Sequence, residues 1–199
     1  MSSSISSRYL QRRRSSQSVR VTTSPLDGGA TVVLMDELTD PESLRDRDDV
    51  EYVENPPEVH QHHHDAYDDI AGYVVVGVTD PEGRLLVLEH DDAPYPHLCF
   101  TEVDHDEEYV EAARGIVTTA TGVDATGDDV LRVRRSTYRA EDGRETSGYD
   151  VVFTASPVET TEIDPEAGHD WTASWRDPTT IDLPAGEDND VVNDVRLFL

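Results

Sequence analysis

The chain contains no lysine. All 16 of its basic residues are arginine, set against 43 aspartates and glutamates in 199 residues, for a formal net charge of −27. Nucleic acids and anionic membranes are gripped through basic patches, and none occurs after the first 34 residues, so neither is an expected partner. Cysteine is nearly missing as well. Cys99 stands alone, which excludes an intramolecular disulfide and reads as a buried or inert thiol in a reducing compartment. No apolar run approaches the roughly 20 residues of a membrane span. Together these absences lead to the expectation of a soluble, cytoplasmic protein.

What fills the space is carboxylate. In dilute buffer such an excess repels itself, but at molar salt the Debye length shrinks to about 3 Å and the acidic surface holds its hydration. The composition is similar to that of extremely halophilic archaea and reads as adaptation to a salt-rich cytoplasm. With about one residue in five acidic, a pair of carboxylates by itself signals little.

Residues 1–34 break the pattern with five arginines, one acid (Asp27) and many serines. Their arginines lack the following apolar stretch that a secretory or twin-arginine signal needs. Two readings stand: a translated leader ahead of a true start at Met35, or a disordered basic tail that binds something. Residues 35–71 read as an N-terminal extension. In it "DPESLRDRDD" predicts a short helix with Asp40 as cap and Pro41 at its first position, and "VEYVE" predicts a strand. His60, His62, His63 and His64 follow. Metal ligands must converge, whereas adjacent side chains of an extended segment point to opposite faces, so a solvated loop or edge strand is the expectation.

From residue 72 to 199 the pattern is that of one domain. "AGYVVVGVT" and "RLLVLEH", joined by "DPEG", predict a buried hairpin. A helix is expected from about Asp106 to Thr121, capped by Asp104 or Asp106, with Val110, Ala113 and Val117 as its apolar stripe and Gly122 as its stop. "VLRVRRSTYRA" and "SGYDVVFTAS" predict a second hairpin, "HDWTASWRD" a short strand, and "EDNDVVNDVRLFL" a closing helix capped near Asp188 and packed through Val191, Val195 and Phe198. Mixed strands and helices point to the α+β class.

The segment from Leu98 to Val123 resembles the Nudix hydrolase family, whose box reads GX5EX7REUXEEXGU with U aliphatic. With Gly122 and Val123 on the closing pair, Val117 takes the internal aliphatic position and Glu107 the first glutamate, without a gap. Leu98 and Val103 match the family's lead-in, and "EYVEAAR" matches its filler. The departures are Thr101 for the opening glycine, Gly115 for the arginine, and Ile116, Thr119 and Ala120 for the three glutamates. Moving the register by one puts Arg114 on the arginine but restores no glutamate.

The resemblance implies a Nudix-like fold, a mixed β-sheet between helices in an α/β/α sandwich, and descent from hydrolases of nucleoside diphosphates linked to another group. It also implies Mg or Mn as the cofactor of an active member. A hard cation wants charged oxygens, and isoleucine, threonine and alanine supply none, so hydrolysis is expected to be weak or lost. The alternative is a non-catalytic protein that binds a nucleotide-type small molecule or a protein partner; a homodimer is left open. The catalytic candidates are Glu107 and Glu111, four apart near the helix start, which read equally as a solvated acidic face. Arg114 and Trp175 are the candidates for substrate binding. Glu162, Asp164 and Glu166 could reach the helix from a loop, and His90, His97, His105 and His169 are scattered acid–base candidates.

Overall fold

The computed structural model of the protein describes residues 19–25, 31–59, 67–140, 142–168 and 170–199. Strands β1 (Val19–Pro25) and β2 (Thr31–Leu38) pair antiparallel. Met35, read as a start site, lies inside β2, and the strand that it pairs with falls within the segment read as leader or tail. Residues 1–18 and 26–30 lie outside the described residues, as do His60, His62, His63, His64 and His169. The predicted short helix is a 3-10 turn over Pro41–Leu44, with the Asp40 carboxylate accepting from the Glu42 N–H. Leu38, Leu44 and Val50 are buried in the main core, so packing does not separate residues 35–71 from residues 72–199.

The main sheet is built from β3 (Glu51–Glu54), β5 (Ile70–Val78), β7 (Cys99–Asp104), β8 (Ala125–Arg139) and β9 (Glu145–Pro157), in the order β3-β8-β9-β5-β7, with the short β4 (Glu58–Val59) also on β8. It is mixed: β5 runs parallel to β9 and antiparallel to β7, and β8 and β9 form the long antiparallel hairpin that the sequence predicts. The centre reads as nearly continuous valine because both faces are covered. Val74 and Val76 of β5 point to helix α1 (Tyr109–Thr121). Val75 and Gly77 point the other way, to helix α2 (Asp190–Arg196) and the residues after it. Gly77 is needed there, since a Cβ would stand 2.2 Å from the Phe198 ring. The fold is an α+β sandwich with a mixed sheet between two helices.

The first predicted hairpin needs correction. Its strands exist, β5 and β6 (Leu85–Glu89), and so does its turn, where Gly83 takes φ 79° and the Asp80 carboxylate accepts from the N–H groups of Glu82 and Arg84. Only one bridge, Thr79 to Leu85, joins them. Both edges of β5 are already taken by β7 and β9, so β6 turns away to pair with β10 (Thr172–Arg176), the strand expected in "HDWTASWRD".

Both helices start slightly later than predicted. The cap of α1 is Glu108, whose carboxylate accepts from Val110 and Glu111, rather than Asp104 or Asp106. The same carboxylate also accepts from the Leu38 N–H, tying β2 to the helix. The α2 cap is Asn189 rather than Asp188, and Val192 is buried alongside Val195. Val110, Ala113 and Val117 are buried and Gly122, at φ 73°, ends α1, as read from the sequence.

Candidate functional site

Along α1 the sequence candidates sit as follows. Glu107 is exposed ahead of the helix and accepts from the Asp104 N–H at 3.2 Å, while Glu111 is exposed in the first turn. Arg114 is partly buried, beside Ala113 and Val117 over Ala125 and Thr126. Trp175 lies on β10, packs against the core, and donates its indole N–H to the Thr161 carbonyl at 2.8 Å. Ile116 packs against the core, Thr119 is exposed and Ala120 is buried. The loop before β10 closes over this end of the helix, with Asp164 N–H on the Thr121 carbonyl at 2.9 Å and Gly168 N–H on Thr119 at 3.3 Å. Of the three loop acids, Asp164 is thus brought to the end of α1, against Gly122, and its carboxylate accepts from the Glu166 N–H. Among the histidines, His105 is exposed with its Nε2 3.2 Å from the Asp68 carbonyl, and His90 stands 5.3 Å from the Trp171 ring.

A divalent ion finds a poor donor set here. Positions 116, 119 and 120 offer no charged oxygen, and the Thr119 and Thr121 carbonyls are engaged by the loop. Among the described residues no three His, Cys, Asp or Glu side chains are grouped to hold a metal ion. Cys99 is fully buried, and burial pushes its thiol up to about 12, so it is neither nucleophile nor ligand at neutral pH.

The opposite face of the sheet holds a cavity of about 190 Å³, walled by Tyr73, Val75, Leu98 and Phe100 from β5, β7 and the loop before it, and by Val191 of α2. At its mouth stands an aromatic group. His97 lies 5.8 Å from Tyr95 in a stacked arrangement, 5.8 Å from Phe100 and 4.9 Å from Trp171, centroid to centroid. Tyr95 is fixed by the Asn189 side-chain amide, which donates to its hydroxyl at 2.8 Å. Burial lowers the His97 pKa, so its imidazole is neutral at pH 7.

The floor is ionic. Register places Arg134 of β8, Asp150 of β9 and Tyr73 of β5 side by side in one row across the sheet. Arg134, only 4% exposed, donates to Asp194 at 2.7 Å and reaches Asp190 at 3.1 Å; Arg132 reaches Asp194 at 2.8 Å and Glu51 at 2.8 Å. Burial lowers the Arg134 pKa, but Asp194, Asp190 and Asp150 more than offset it, so the guanidinium stays charged. Asp150 is served less well. Arg134 stands 3.7 Å away, and the Tyr67 hydroxyl donates to it at a long 3.3 Å. Burial pushes its carboxyl up to about 7, against the pull of Arg134.

Glu107, Glu111, Arg114 and Trp175 do not line this cavity; of the acid–base candidates, His97 does. The sequence holds only a faint local signal for the rest: "VRR" sets arginines beside a buried valine in β8, and "GYDVVF" sets an acid directly before the buried Val151, Val152 and Phe153 of β9.

No protein-family model matches the chain, and no curated protein matches it significantly. Solved structures do resemble it. A Nudix-family hydrolase from Clostridium perfringens is 13% identical with a TM-score of 0.45, covering 66% of this chain and 99% of its own. An ADP-ribose pyrophosphatase from Streptococcus suis 89-1591 is 13% identical with a TM-score of 0.43, over 64% and 87% of the two chains. A MutT protein from Methanosarcina mazei Go1 is 14% identical with a TM-score of 0.43, over 64% and 91%. At such values the likeness says nothing about substrate.

Proposed function

We propose that this chain is a Nudix-fold protein of a saline cytoplasm that binds a nucleotide-type small molecule in the cavity between the sheet and α2, with metal-dependent hydrolysis along α1 weak or lost. One observation carries the reading: a cavity lies on the α2 face of the sheet, while the box positions 116, 119 and 120 on the α1 side carry no acid. The cavity under α2 has aromatic walls, an ionic floor and a buried, underpaired carboxylate, the mix of apolar surface and a few fixed polar groups that small-molecule sites have. The face that in the family would carry chemistry keeps its helix, cap and spacing but offers Ile116, Thr119 and Ala120. The box spacing from Leu98 to Val123, and the position of α1 directly after β7, support the family assignment. Arg114 and Trp175 belong to the box side of the molecule and to packing, and Glu107 and Glu111 remain the carboxylates nearest a residual reaction.

The test is direct. In molar potassium chloride with magnesium or manganese, the purified protein is expected to release little product from a panel of nucleoside diphosphate conjugates and nucleoside triphosphates, while at least one nucleotide raises its melting temperature. Robust turnover that disappears in Glu107→Gln or Glu111→Gln would sink the non-hydrolytic reading.

A further inference from the structure

The cavity floor says more than that something binds. Arg134 and Arg132 are both paired with carboxylates already in the fold, Arg132 with Asp194 and Glu51 and Arg134 with Asp194 and Asp190. Asp190 and Asp194 add negative charge beside them. A phosphate or carboxylate group of a ligand is therefore unwelcome on this floor. Asp150 is the opposite case. A carboxylate has about four acceptor sites, and here they meet one long hydrogen bond from Tyr67 and an arginine beyond hydrogen-bond distance. Its side chain is 13% exposed and lines the cavity, with Arg134 on one side of it in the row and the aromatic ring of Tyr73 on the other; Phe100 of β7 stands beyond Tyr73.

We propose that Asp150 is the specificity-determining residue of this cavity, and that it selects a planar heterocycle presenting two adjacent N–H donors, the edge of a 2-amino-6-oxopurine such as guanine. This rests on the reading of the cavity as a nucleotide site and refines it. A carboxylate accepts two parallel N–H bonds in one plane, and a ring held by them would lie against the aromatic lining of the cavity. An adenine edge alternates donor and acceptor, so it sets a ring nitrogen lone pair against the carboxylate. Inosine keeps one donor and loses the second.

The geometry has a further consequence for pH. The charged and titratable groups around Asp150 are Arg134 and Tyr138 of β8, Asp190 and Asp194 of α2, Tyr67 ahead of β5, Tyr73 of β5 and Tyr109 of α1. The four tyrosines are raised by burial and stay neutral, and Arg134 stays charged. His97 lies on the cavity wall and its pKa is lowered by burial, so its own titration falls at the acid end. Asp150 is left to titrate near neutrality, and the two-donor edge needs it ionised.

Guanosine, inosine and adenosine are the probes, titrated by calorimetry against the full chain in molar potassium chloride from about pH 6 to about pH 8. Guanosine is expected to bind at least about tenfold more tightly than the other two, with an affinity that rises with pH and levels off above 7. Asp150→Asn, nearly isosteric, is expected to erase both the preference and the rise, leaving only whatever His97 contributes below neutrality. Tyr67→Phe, which removes the hydroxyl donated to Asp150, is expected to keep the preference. Equal binding of the three nucleosides, or a preference unchanged in Asp150→Asn, would overturn the role of Asp150 while leaving the nucleotide site in place. Tighter binding of adenosine with affinity falling as pH rises would mean that the carboxyl acts protonated, and would overturn the two-donor edge. Failure of all three to bind overturns both this inference and the reading on which it rests.

Discussion

Asp150 and Asp194 are two carboxylates on the same floor with opposite relations to stability. Asp194, at 5% side-chain exposure, holds two arginines at 2.7 and 2.8 Å. Asp194→Asn leaves both guanidiniums short of counter-charge and is expected to destabilise by about 3 kcal/mol, read by denaturant titration. Asp150 is expected to go the other way. Its folded pKa lies above the ordinary 3.8, so its contribution is complete below that value and is lost as pH rises through about 7. The wild type therefore weakens between about pH 4 and 7. Asp150→Asn does not follow it, and its relative stability should climb across that window and stay flat above. A relative stability that does not change with pH would show that the carboxyl is better solvated than its surroundings indicate.

Among the elements, helix α1 was the most legible and the β5–β6 connection the least. The stripe Val110, Ala113 and Val117 and the stop at Gly122 are local signals, and they hold. The cap moved to Glu108 because a tertiary partner decides it: the Leu38 N–H, 70 residues away, shares its carboxylate. The turn at Asp80–Gly83 was legible, but the departure of β6 was not, because it depends on β9 and β7 occupying both edges of β5. The cavity was illegible for a related reason. Arg134, Asp150 and Asp190 come from three elements, and only register and the position of α2 bring them together. Gly115 gives the element its own test. It is exposed in the middle of α1, and a Cβ added there meets nothing within 4 Å. Gly115→Ala is expected to stabilise by about 0.5–1 kcal/mol, through a less flexible unfolded chain and a better helix former. A loss of stability in thermal melts would mean that this surface has a contact to protect.

For the molecule as a whole, charge dominates. Exposed pairs such as Arg144 with Asp142 and Arg45 with Glu42 contribute little and weaken with salt. The self-repulsion of a net −27 also weakens with salt, and it is the larger effect. The melting temperature is therefore expected to rise as potassium chloride goes from about 0.1 M to about 2 M. A flat or falling trend would contradict the reading of the composition as an adaptation to salt.

Helix α2 and the residues before it cover the sheet face that carries Leu85, Val87 and Leu98, through Ile181, Leu183, Val195 and Phe198. Those covering residues come later in the chain than Leu85, Val87 and Leu98 beneath them, so a ribosome makes them afterwards. For the time between, the newborn chain carries a finished apolar sheet face with no cover. That is the kind of surface on which nascent proteins aggregate or recruit chaperones. Dense negative charge on the rest of the chain keeps such intermediates apart from one another, so the composition that suits salt also protects this protein while it is being made.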